Sequence, residues 1–101
     1  MFSGGSYDDV SRWLRNFLTA HAKRVDPRME IVMEAGGDLE GHGYRARVRF
    51  GERLSEPLTL DYREVADNRG TLAWCAALAK RVHELAHSLL AAGSAPNVRA
   101  R

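Results

Sequence analysis

One short run in this chain has the residue types and spacing for chemistry: His83-Glu84-Leu85-Ala86-His87. Histidines four positions apart share a helix face, so both rings can reach one zinc ion. The glutamate between them can then act as general base on a metal-bound water. On that reading His83 and His87 are metal ligands and Glu84 is the catalytic base of a zinc-dependent metallohydrolase. A catalytic zinc usually takes three protein ligands. Downstream, Ser88 to Arg101 holds no His, Asp, Glu or Cys. His21 or His42 would have to be carried to the same place by the fold. On a helical wheel His83 and His87 lie near Lys80, away from Leu78, Val82, Leu85 and Leu89. The main expectation is therefore two histidines on a polar helix face, with no catalytic residue, no bound metal and no cofactor.

Other candidates are weaker. Cys75 is the single cysteine and cannot form an internal disulfide. It falls on an apolar helix stripe, where burial raises a thiol's pKa and makes it inert; a reduced thiol suits the cytoplasm. The Gly36–Gly43 stretch has glycines but no Walker-type lysine and no helix directly after it, so it is not a phosphate cradle. Trp13 and Trp74 have the helical phase of core-edge aromatics rather than ligand platforms. Arg45, Arg47 and Arg49 share one strand face, where Glu30 and Glu34 partly neutralise them as a solvated charge ladder.

The elements that must position these residues follow from periodicity. Residues 71–92 read as the dominant helix, because Cys75, Leu78, Val82, Leu85 and Leu89 recur at spacings of three and four. Tyr7, Val10, Leu14, Phe17, Leu18, His21 and Val25 give a first helix, capped by Ser6 and stopped by Asp26-Pro27. Arg28–Ala35 and Tyr44–Phe50 alternate with period two and read as an antiparallel hairpin. Leu58, Leu60 and Tyr62 suggest a shorter third strand. Residues 63–70 are ambiguous: Gly70 could interrupt one long helix, or Asn68 could cap the helix that follows. Gly93 is placed as a C-cap. The expectation is an α+β domain of order α-β-β-β-α, a three-stranded antiparallel sheet with two helices packed on one face. Met29, Ile31, Met33, Val48 and Phe50 would meet Leu14, Phe17, Leu78, Val82 and Leu85.

At 101 residues, 45% hydrophobic and 28% charged, the chain has the composition of one globular domain rather than a disordered segment. Its expected limits are residues 6–93, with flexible ends at 1–5 and 94–101. A net charge of +2 does not imply a nucleic-acid partner. No secretory pattern opens the sequence, and no stretch approaches the roughly 20 apolar residues that span a bilayer.

Two family resemblances are local. The His83–His87 run resembles the zincins over five residues, but the longer metzincin pattern needs a glycine where Leu90 stands. The element order, with Glu34-Ala35-Gly36-Gly37, then His42, Tyr44 and the alternating strand to Gly51, is similar to the double-stranded-RNA-binding domain. That resemblance implies duplex RNA as a ligand. The family grips phosphates with a lysine cluster at the start of the last helix; here Tyr62–Gly70 holds two acids and no lysine. The reading favoured by the whole sequence is a small cytosolic accessory domain of bacterial type, binding another protein or itself. Leu72, Trp74 and Leu90, at the edges of the apolar arc, are the candidate homodimer contacts.

Overall fold

The computed structural model describes residues 6–34, 39 and 41–94. Helix α1 (Tyr7–Val25) starts where the sequence supplies a cap: the Ser6 hydroxyl accepts from the Asp9 amide at 3.1 Å. Asp8 and Asp9 occupy its first turn and Lys23 and Arg24 its last, both favourable to the helix dipole. Strand β1 (Glu30–Glu34) pairs antiparallel with β2 (Gly43–Phe50), Ile31 opposite Val48 and Met33 opposite Ala46. Gly51-Glu52 turns the chain back; only Gly51 takes a positive φ, +67°, the pattern of a type II′ hairpin turn.

The third strand is broken. β3 (Arg53–Leu54) and β4 (Leu58–Asp61) both pair with the side of β2 opposite β1. The break falls at residues 55–57. The Ser55 amide donates to the Val48 carbonyl at 2.9 Å, and the Ser55 hydroxyl accepts from the Val48 amide at 2.9 Å. A side-chain oxygen thus stands in for a strand carbonyl, and Pro57 has no amide to continue the ladder. Tyr62 does not extend this strand. The Asp61 carboxylate accepts from the amides of Arg63 (3.0 Å) and Glu64 (3.3 Å) and so starts a helix, α2 (Tyr62–Asn68).

Asn68 does not cap the last helix, because its side-chain amide donates back to the Glu64 carbonyl at 2.8 Å. The chain turns through Gly70 and enters α3 (Leu72–Ser94), so Gly70 separates two helices. Gly93 lies inside α3, not at its cap.

The architecture is α+β, in the order α-β-β-β-β-α-α, with the long helices on one face of an antiparallel sheet. Val10, Leu14, Leu18 and Ala22 of α1 share one buried cluster with Leu78, Val82, Ala86 and Leu89 of α3, Ala46 and Val48 of β2, and Leu58 and Leu60 of β4. Each fully buried large aliphatic there is worth about 1.5–3 kcal/mol. The helices run parallel, since Trp13 meets Trp74 and His21 meets His83. Tyr7 ties α1 to the sheet: its ring stacks on Tyr44 at 4.8 Å and its hydroxyl donates to the Gly43 carbonyl at 2.6 Å. The Tyr44 hydroxyl donates to the Tyr7 carbonyl at 2.9 Å, and burial, with Tyr7 and Tyr62 alongside, pushes its pKa well up.

The opposite sheet face carries the expected charge ladder. Glu34 pairs with Arg47 at 2.6 Å and Arg45 at 3.7 Å, and Glu30 pairs with Arg49. Among the described residues no helix is long and apolar enough to cross a membrane.

Candidate functional site

The sequence motif meets the fold in an unexpected way. His83 is half-buried on the flank of α3 that faces α1, not on the solvated face. Its Nε2 lies 3.3 Å from Nδ1 of His21. A wheel drawn against the sheet-facing stripe misplaces it, because α1 packs beside α3 and widens the buried arc. His87 and Lys80 are exposed, as the wheel expects.

His21 ends an aromatic row along the helix seam. Trp74 packs on Trp13 at 6.5 Å between ring centroids, Trp13 on Phe17 at 5.1 Å, Phe17 on His21 at 4.6 Å, and His21 on His83 at 5.3 Å. The Trp74 indole N–H donates to the Glu64 carboxylate at 3.0 Å, which fixes the other end. Burial, then the charge of Arg24 and the neighbouring His83, hold the His21 pKa below its ordinary value. The imidazole of His21 therefore favours its neutral form, with one nitrogen donating and one accepting.

Glu84 goes elsewhere. It is exposed and lines a groove of about 400 Å³ with Leu54, Ser55 and Glu56 beside β3 and Leu85, Ser88 and Leu89 of α3. His83 and Glu84, adjacent in sequence, thus address different neighbours. His42 is exposed in the turn before β2, its backbone bonded to Leu39 and Tyr62. Among the described residues no three His, Cys, Asp or Glu side chains gather as metal ligands. The pair the fold brings together is His21 and His83, whose nitrogen separation matches two ligands on one tetrahedral zinc at bond lengths of about 2.0–2.1 Å.

Cys75 is half-buried rather than buried, because it lies at the α2–α3 junction; its Sγ is 3.4 Å from the Arg69 carbonyl oxygen. Two large apolar residues stand out on the surface: Leu72, 86% exposed, and Leu54, 51% exposed. Of the two histidines the zinc reading needed the fold to deliver, His21 reaches His83 and His42 does not, while Ser55 and Glu64 carry no sequence signal as partners. Trp13, Phe17 and His21 do recur every fourth residue, which is the available signal for a second helix flank.

The chain matches no protein-family model, no curated protein and no solved structure.

Proposed function

We propose that this chain is a small, non-catalytic, cytosolic interaction domain that pairs with a second copy of itself through the N-terminal half of α3. One observation carries the reading. Every exposed position of α3 before Lys80 is apolar: Leu72, Ala73, Ala76 and Ala77. Leu72 is almost wholly exposed at the head of this face. A single surface leucine is ordinary; a run of exposed helix positions without charge or hydrogen-bonding side chains supports reading this face as a contact surface. The alanines let another backbone approach closely. A face without charge meets its own copy without like-charge repulsion, as a two-fold contact requires.

Tyr62–Gly70, where the RNA-binding resemblance would put lysines, carries Glu64 and Asp67 instead, and the last helix then opens with Leu72, Ala73 and Trp74. That supports a protein ligand over an anionic one. The division of His83 and Glu84 between two neighbours weighs in the same direction against a hydrolytic centre. The single free thiol suits a reducing compartment.

The test is sedimentation equilibrium across a wide concentration range. Wild type is expected to dimerise and Leu72→Glu to remain monomeric with unchanged melting temperature. A wild type that stays monomeric into the millimolar range overturns self-association.

A further inference from the structure

The groove beside Glu84 is independent of the α3 N-terminal face, and its chemistry differs. One wall is the outer edge of β3, the other is α3. Leu85 and Leu89 supply its apolar surface. Among the described residues the charged side chains that line it are Glu56 and Glu84, both acidic, and Ser55 and Ser88 line it as well.

The strand edge is open at this point. The Ser55 amide points inward to the Val48 carbonyl, and Leu54 sits opposite Arg49. Alternation along the ladder therefore turns the Leu54 N–H and C=O outward, away from β2. An edge with outward backbone groups beside an apolar helix flank is the geometry that receives an added strand. The edge is short, since Pro57 ends it, so backbone pairing alone gives little specificity.

We infer that the groove between β3 and α3 is a docking site for an extended peptide segment of a protein partner, in which basic residues flank an apolar one. The partner's backbone pairs with Leu54. Its apolar side chain packs on Leu85 and Leu89, and its basic side chains reach Glu56 and Glu84. The two acids select against acidic segments, which would bring like charges together. The inference rests on the interaction-domain reading but not on the Leu72 face.

The experiment is selection of a random short-peptide display library on the intact chain, followed by amide chemical-shift mapping with the enriched peptides. The expected peptides alternate basic and apolar residues and shift the amides of Leu54–Glu56 and Glu84–Leu89. Affinity is expected to fall about tenfold or more in the Glu56→Lys/Glu84→Lys variant. Both side chains are exposed, so an unchanged melting temperature verifies that this variant folds. No enrichment, shifts centred on Leu72–Ala77, or binding indifferent to the charge reversal would overturn the groove as a peptide site. Dimerisation lost in Leu72→Glu would still uphold the interaction reading if the groove fails.

Discussion

Nδ1 of His21 lies 3.3 Å from Nε2 of His83, and this is the one side-chain hydrogen bond between α1 and α3 among the described residues. It needs one ring to donate and the other to accept, so doubly protonated rings cannot make it. Protonation would also set two imidazolium groups side by side near Arg24.

Acid should therefore loosen the helix pair early. His21 holds a proton less readily in the fold than in the unfolded chain. Its contribution is complete above the ordinary histidine value of about 6.5 and is lost as pH falls through its lowered value. A separate loss follows at lower pH. The Arg28 side chain and backbone N–H bonds hold Asp26 at about 2, while Arg49 and Arg47 lower Glu30 and Glu34. Those contributions are present above the ordinary carboxylate values near 4 and fade below them. Melting temperature against pH should show two steps, with His21→Gln removing the first. A single acid step in wild type would contradict the seam's role.

Zinc titration discriminates the seam from a hydrolase centre. Wild type should bind zinc weakly, and His21→Ala should weaken it as much as His83→Ala, with Glu84→Gln unchanged. A tight stoichiometric site, with peptidase activity abolished by Glu84→Gln, would instead establish a metallohydrolase.

Gly43→Ala should be costly for a backbone reason. A Cβ at Gly43 would lie 2.7 Å from the Leu60 carbonyl oxygen, so β2 and β4 would have to separate. Overpacking of this kind costs about 1–3 kcal/mol. At about 4–8 °C per kcal/mol for a domain this size, a thermal melt reads it directly. An unshifted melt would mean that the strands yield freely.

Ser55→Ala should orphan the Val48 amide, which has the Ser55 hydroxyl as its acceptor. A buried unsatisfied amide costs about 1–3 kcal/mol. The denaturation midpoint should drop without a change in slope. Faster hydrogen exchange at Val48 would localise the effect.

The alternation of β1 and β2 was legible because one sheet face is buried and the other carries salt bridges, so Glu30, Glu34 and the arginines mark the solvent side. α2 was not, since Leu58, Leu60 and Tyr62 continue a strand rhythm across the point where Asp61 caps a helix. The capping signal, Asp61 with Glu64 three residues on, was present but outweighed by that rhythm. The break at Ser55 has no periodic signature at all. His83 was misplaced because a wheel knows one packing partner and α3 has two.

The parallel run of α1 and α3 has a kinetic consequence. Their histidine contact joins positions 62 residues apart. Neither helix can cover its apolar flank through local hairpin contacts, since the strands must form between them first. Loop closure then precedes the contacts between the two helices, so refolding should be slower than in helical bundles of similar size. During synthesis, the flank of α1 that meets α3 would stay uncovered until the last helix emerged, after the sheet had already reached the rest of α1.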